Sequence, residues 1–317
     1  MAGEERSDKT MLVSPNVIMA DARMRGYAVP AFNYYNLDVL FAVLEAAETE
    51  NAPVIVQPYS AYVPFLHDKV LAAASLEAIA QSKVCAYLHL DHATEYDLIM
   101  RCIKWDFHSV MVDGSALPLE ENIALTKAVV RVAKSVGVYT EAEIGRIFRA
   151  GVDDDRLDDG DETARVEDCV RLIEETGVDS LAPAVGTAHG VYTKPPKINF
   201  ERIEQLRAAV DVPLVLHGGS GTPDEMIRRA IECGITKINV GTELKYAWSA
   251  AMKEMFNKGE KEPRICSAYA REKVKEVAKA KLRLFGTSGH NPCVAMAQCK
   301  GVVPSAGRND DHEFMGE

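Results

Sequence analysis

Four of the chain's eight histidines stand in short polar motifs, His89 and His92 in HLDH at 89–92, His189 in GTAHG at 186–190 and His217 in HGGSG at 217–221, and of these His92, His189 and His217 are the candidate ligands. His67 and His108 sit away from these motifs, and His290 and His312 belong to the C-terminal stretch. Three neutral imidazoles with an open fourth position suit a catalytic zinc ion, whereas a closed structural site calls for cysteines. The seven cysteines are widely spaced and include no Cys-x-x-Cys, which argues against both a cysteine zinc site and a disulfide scaffold. Asp91 directly precedes His92, and neighbours in an extended segment point in different directions, so one can bind metal while the other faces substrate. A metal-polarised substrate needs a proton acceptor beside it, and Asp91 is the candidate. Its alternative role is a helix cap or a carboxylate that orients an imidazole. Glu143, in EAEIG at 141–145, fits a metal ligand, an alternate ligand when the ion moves, or a buried carboxylate held by amides.

Glycines supply the second kind of chemistry. Gly190, Gly218, Gly219, Ser220 and Gly221, with Gly241 and Thr242, offer backbone N–H groups close to where helices begin. Such groups bind phosphate by direct hydrogen bonds and through the helix dipole.

The elements that must position these residues are short apolar, β-branched runs alternating with longer segments of helical period. Strands are expected at 28–32, 54–57, 85–89, 109–113, 138–143, 180–183, 214–217 and 237–240. Asn36 caps a helix whose apolar residues Leu37, Leu40, Phe41, Leu44 and Ala47 share one face. Further helical stretches lie at 94–105, 119–136, 164–176, 199–210 and 223–232. Eight alternations without a linker predict an α/β protein, a single (β/α)8 TIM barrel over 11–289, with an extra N-terminal helix near 17–25 and a C-terminal extension. In such a barrel the site lies where strands end, and the polar motifs, including AFN at 31–33 and NVGTE at 239–243, fall there. Residues 1–10 and the Gly-, Ser-, Asn- and Asp-rich stretch from 286, with the tail proper over 290–317, are expected to be disordered, and 146–163 reads as a long acidic loop.

With 317 residues, 47% of them hydrophobic, the chain can bury one large core. Lys and Arg number 36 against 47 Asp and Glu, a formal charge of -11, which argues against sequence-independent nucleic-acid binding while leaving room for a small anionic substrate in a locally positive pocket. No run of about 18 apolar residues occurs, and the start, MAGEERSDKT, is polar, so a soluble, cytoplasmic protein with no membrane partner is expected.

Taken together, AFN, PVIVQ, HLDH, EAEIG, DSLAPAVGTAHGVY, PLVLHGGSG, KINVGTEL and RLFGTSG resemble the class II, zinc-dependent ketose-bisphosphate aldolases, which act on fructose or tagatose 1,6-bisphosphate. The resemblance spans most of the chain and implies a homodimer or homotetramer of carbohydrate metabolism, glycolysis included. It implies reversible, metal-assisted aldol cleavage of a phosphorylated ketose to dihydroxyacetone phosphate and an aldehyde. By position, His92, His189 and His217 would hold Zn2+, and Glu143 matches a glutamate that approaches the metal in some members. Asp91 would take the proton of the C4 hydroxyl, and Asn239 is similar to the asparagine that contacts the enediolate. Gly190, Gly218, Gly219, Ser220, Gly241 and Thr242 would bind the ketone phosphate, with Na+ or K+ nearby, and Asn33 and Lys194 join the substrate-binding set.

Departures from the family pattern fall mainly in the aldehyde half. GRIFRAG replaces the usual Gly-Gly-acidic loop, Thr193 then Lys194 stand where a lysine is expected, PYS with Tyr59 and Ser60 replaces a serine, and NVGTEL is closer to the tagatose-type branch. Arg146 and Arg149, or Arg271, could pair with an anionic aldehyde substituent, giving a non-standard anionic product. Three rival functions have their own sequence requirements. A metal-dependent hydrolase would want a histidine pair on strand one and an aspartate ending strand eight, where AFN and Asn239 stand instead. A Schiff-base aldolase would use Lys237. A noncatalytic aldolase-like partner subunit would not need the three histidines and Asp91.

Overall fold

The computed structural model describes residues 14–145, 148–149, 163–190 and 196–292, with backbone alone at 148–149. The expected disorder of 1–10, the acidic loop from 150 to 162 and the tail beyond 292 lie outside the described residues. Eight parallel strands close into a barrel: β1 (Val29–Asn33), β2 (Val54–Gln57), β3 (Ala86–Ala93), β4 (Ser109–Asp113), β5 (Tyr139–Ile144), β7 (Ser180–Pro183), β9 (Leu214–Leu216) and β10 (Ile235–Val240), which pairs back onto β1. The barrel of the sequence analysis is therefore the observed fold. Two short strands outside it, β6 (Phe148–Arg149) and β8 (Ala188–His189), pair in parallel above the strand ends.

Most helices follow the expected runs: α2 (Leu37–Glu50), α5 (Tyr96–Lys104), α6 (Leu119–Ser135), α7 (Val166–Thr176), α8 (Phe200–Ala209) and α9 (Asp224–Cys233). Asn36 Oδ1 accepts from Val39 N at 3.0 Å, the predicted cap, and such a cap contributes about 1 kcal/mol. Leu37 is exposed, so the inward face of α2 starts at Val39 and Leu40. The remaining helices are α3 (Tyr62–Phe65), α4 (Asp68–Gln81), α10 (Thr242–Asn257) and α11 (Pro263–Leu284), the last lying against α2 and α10.

The extra N-terminal helix, α1 (Pro15–Arg25), starts on a proline and ends on Gly26 at φ 73°. Its Ile18, Met19 and Ala22 pack on Val29, Ala31 and Tyr87, closing the barrel floor. Full burial of Ile18 and Met19 contributes roughly 1.5–3 kcal/mol each.

Residues 286–292 correct the expected disorder. Thr287 Oγ1 donates to Ala28 O at 2.6 Å, Gly289 N to Glu50 O at 2.9 Å, and His290 stacks on Tyr27 with centroids 4.7 Å apart. Asn291 Oδ1 accepts from Cys85 N at 3.1 Å. Side chains that satisfy the lower strand ends order this segment without any periodic pattern. Cys85 is also disulfide-bonded, its partner outside the described residues, while Cys102, Cys169, Cys233 and Cys266 are free thiols. No described helix is long and apolar enough to cross a membrane.

Candidate active site and metal centre

β3 carries the centre of the site. Its register against β4 slips by one residue between Leu90 and Ala93, and His92 sits at φ 48°. This bulge breaks the expected alternation, so Asp91 and His92 face the same cleft instead of opposite sides. A histidine at positive φ inside a strand is an uncommon conformation of the kind found at functional sites. The ladder to the end of β2 holds it: Asp91 N donates to Pro58 O at 3.1 Å and Ser60 N to Asp91 O at 2.9 Å.

Asp91 is buried and accepts two amide hydrogen bonds, from Asn33 Nδ2 at 2.7 Å and Asn239 Nδ2 at 3.0 Å. Asn33, ending β1, in turn accepts from Gln57 Nε2 at 3.1 Å. Asn239 Oδ1 is buried and makes no hydrogen bond among the described residues. Both asparagines therefore orient the carboxylate as well as lining the cleft.

His92, Glu143 and His217 offer ligand atoms that all lie within 4.8 Å of one another. The two rings are 4.6 Å apart. Glu143 Oε2 is 2.8 Å from His217 Nδ1 and 3.6 Å from His92 Nδ1, yet this buried oxygen makes no hydrogen bond among the described residues. His92 Nδ1 lies 2.8 Å from Asp113 Oδ2, a carboxylate oxygen that can only accept, which leaves Nε2 with its lone pair. Burial opposes charge on both rings. Glu141 and Glu143 outweigh it at His217 and push it up to about 10, and Asp91 and Glu143 raise His92. Asp113 sits below its usual range because the hydrogen bond and charge of His92 outweigh burial. Two imidazoles and a carboxylate converging on an oxygen without a hydrogen bond, with two further carboxylates beside them, fit a divalent cation with nitrogen and oxygen ligands.

His189 lies on β8, and its side chain is outside the described residues, but the next residue, Gly190, lines the cleft. Gly218, Ser220, Gly241 and Thr242 line it as well. Gly219 does not line it. Its N–H donates to Asn239 O at 3.1 Å, and a Cβ there would meet Ile238 Cγ2 at 2.5 Å, so this glycine serves close packing. Gly221 N donates to Glu243 Oε1 at 2.7 Å. Ser220 Oγ accepts from Gly241 N at 3.2 Å, bracing the two glycine loops against each other. The cleft, about 470 Å³, suits a small phosphorylated molecule.

Other expectations come apart. Arg271, on α11, forms an ion pair with Glu45 of α2 and stacks over Phe41 at 4.9 Å, so within this chain it is not brought to the cleft. Lys194 and Arg146 lie outside the described residues, as does the Arg149 side chain. Lys237 is buried, 2.7 Å from Glu141 Oε2, and is not among the residues lining the cleft, which removes the exposed amine a Schiff base needs. Residues that sequence reasoning passed over are Asp113, Ser115, Tyr35, Tyr62 and Lys245, all at the cleft. Asp113 had a readable signal, an aspartate before glycine at a strand end. Tyr35 and Tyr62 meet edge to face at 5.1 Å, with Tyr35 against the Gly241 loop, and Tyr59 lies beside His92 with ring centroids 6.1 Å apart.

A parallel eight-stranded barrel with this rim defines a class of enzyme, and comparison with known proteins names it. Residues 13–290 match the family described as fructose-bisphosphate aldolase class-II. The YdjI aldolase of Escherichia coli K12 is 34% identical, with a TM-score of 0.80 over 89% of this chain and 100% of that one. A putative fructose-1,6-biphosphate aldolase from Coccidioides immitis is 27% identical, with a TM-score of 0.80 over 88% and 98%. The fructose-bisphosphate aldolase Fba of Campylobacter jejuni is 25% identical, with a TM-score of 0.74 over 87% and 95%. The chain belongs to the class II fructose-bisphosphate aldolase family, and it is an aldol-cleaving lyase.

Proposed function

We propose that this enzyme catalyses the reversible, zinc-dependent cleavage of a phosphorylated ketose to dihydroxyacetone phosphate and an aldehyde. The observation that carries this reading is the carboxylate of Asp91, held by two amides, in the same cleft as His92 and Glu143, whose ligand atoms lie within 4.8 Å of those of His217. His92 and His217, with His189, would hold the ion, and Glu143 would serve as the alternate ligand. A bound zinc ion supplies a Lewis acid that polarises the ketone. Asp91 takes the proton of the C4 hydroxyl as the C3–C4 bond breaks, while Asn33 and Asn239 keep its oxygens aimed. The cleft residues Gly190, Gly218, Ser220, Gly241, Thr242 and Lys245 take the ketone phosphate, and a Na+ or K+ ion completes that end. Tyr59, which lines the cleft where a serine is expected, favours an aldehyde half altered from that of fructose 1,6-bisphosphate. The enzyme works as a homodimer or homotetramer in the cytoplasm.

The test is a panel of fructose and tagatose 1,6-bisphosphates and one-phosphate ketoses bearing a carboxylate, with dihydroxyacetone phosphate detected by a coupled reductase. Cleavage should vanish on chelation and return with zinc. Activity that survives chelation, or no triose phosphate from any substrate, refutes the reading. Clear preference for fructose 1,6-bisphosphate removes the altered aldehyde half.

A further inference from the structure

Beneath the rim runs a line of buried polar side chains that the proposed reaction does not use. Ser109 Oγ lies 2.7 Å from His89 Nδ1, His89 Nε2 is 3.2 Å from Lys237 Nζ, Lys237 Nζ is 2.7 Å from Glu141 Oε2, and Glu141 Oε1 is 3.1 Å from His217 Nε2. All five residues are at most 1% exposed. Hydrogen placement along the line has one consistent solution. Lys237 has only donors, so His89 accepts at Nε2 and donates from Nδ1 to Ser109; burial and the neighbouring ammonium hold His89 well below its ordinary value, hence neutral. Glu141 has only acceptors, so His217 donates from Nε2, and its Nδ1 is the nitrogen turned toward Glu143.

We propose that Glu141, anchored by Lys237, is a positioning residue that fixes His217 with Nε2 protonated and Nδ1 presented to the ion. The inference rests on the metal-centre reading given above. A carboxylate behind a metal-bound imidazole sets ring orientation and basicity, and losing it typically weakens the metal about 10- to 100-fold. Lys237 supplies the charge that keeps a carboxylate in the barrel interior, and it fixes which oxygen is left for His217.

Glu141→Gln, read by zinc competition with a chromophoric chelator, tests this. The glutamine has one acceptor for two donors, and Lys237 competes for it. Zinc affinity should fall about 10- to 100-fold, with KM at saturating zinc unchanged. Adding Lys237→Met removes the competing donor and frees the amide oxygen for His217, so the double variant should recover to within about threefold of wild type. That rescue is not expected of residues that merely fill space. Unchanged zinc affinity in Glu141→Gln, or a double variant weaker than the single, overturns the proposal. Should the variants fail to fold, long-range ¹⁵N spectra of the zinc-loaded wild type decide it. Nδ1 of His217 must be the metallated nitrogen and Nε2 the protonated one, and the reverse overturns it. A wild-type protein that takes up no zinc refutes the metal centre itself, a failure distinct from unaltered binding by the variant.

Discussion

Asp91→Asn separates chemistry from folding in this site. The substitution removes the proton acceptor while keeping size and shape, so turnover should fall by about 10²- to 10⁴-fold, equivalent to roughly 3–5 kcal/mol in the barrier. Whether the fold suffers depends on the amides around it. An asparagine at this position has one acceptor for two donors, Asn33 Nδ2 and Asn239 Nδ2, and a buried donor left facing another costs about 1–3 kcal/mol. Here the neighbours can turn. Asn239 Oδ1 is buried without a hydrogen bond among the described residues, so rotation of its amide lets it accept from the new NH2 group. Gln57 Oε1 is in the same state, which permits the equivalent rotation through Asn33 on the other side. The stability cost should therefore stay near or below 1 kcal/mol, a shift of about 2 °C for a chain of this size. Thermal melting by circular dichroism and steady-state cleavage, both at saturating zinc, check the pair of numbers. A variant within tenfold of wild-type turnover refutes Asp91 as the base, and one that melts many degrees lower refutes the amide-rotation argument.

Zinc uptake should be strongly pH-dependent. His217 is pushed up to about 10, so below that pH each ion bound displaces a proton, and affinity should rise about tenfold per pH unit and proton through neutrality; competition titrations giving a flat profile from pH 6 to 9 contradict the ligand role. By linkage, the raised value stabilises the metal-free fold fully below about 6.5, the unfolded value, and that stabilisation is lost as pH rises through about 10. Melting of chelated protein should therefore drop across this window, and melting that rises across it refutes the assignment. Gly241→Ala places a Cβ 2.9 Å from Asn33 Oδ1 and 3.0 Å from Tyr35 Oη. The crowding, of order 1–3 kcal/mol, should raise KM about tenfold without altering zinc affinity, and an unchanged KM would separate this loop from the substrate. Asn291→Ala removes the acceptor of Cys85 N and should cost about 1–3 kcal/mol in denaturant unfolding, with turnover intact.

The barrel was legible because each strand is a short apolar run ended by a polar motif, and the same motifs marked the rim. What escaped depends on partners distant in sequence or on backbone geometry. Arg271 meets Glu45 from 226 positions away, and no local pattern announces that pairing. His92 at positive φ overturns the alternation rule on which the division of labour with Asp91 was first argued. The long helix α11 was passed over although its buried residues Cys266, Ala270, Val274, Ala278 and Leu282 recur every four positions, because small side chains among charges make a weak apolar signal. The ordered segment from Gly286 to Pro292 was passed over because it is held by individual hydrogen bonds and a ring stack, which leave no period at all.

The period of two along the strands also explains how an apolar barrel supports so many charges. Alternate residues of β3 run Tyr87, His89, Asp91; those of β5 run Tyr139, Glu141, Glu143; β1 gives Val29, Ala31, Asn33, and β10 adds Lys237 and Asn239. Each step of two climbs one layer, from the floor packed on α1, through the buried line of Ser109, His89, Lys237 and Glu141, to the rim. In the middle layer Lys237 and Glu141 cancel, which limits the cost of burying them. At the rim Asp91, Asp113 and Glu143 face two imidazoles with no lysine or arginine in hydrogen-bonding contact among the described residues. That imbalance makes the rim a poor place for an anionic sugar phosphate until a cation neutralises it.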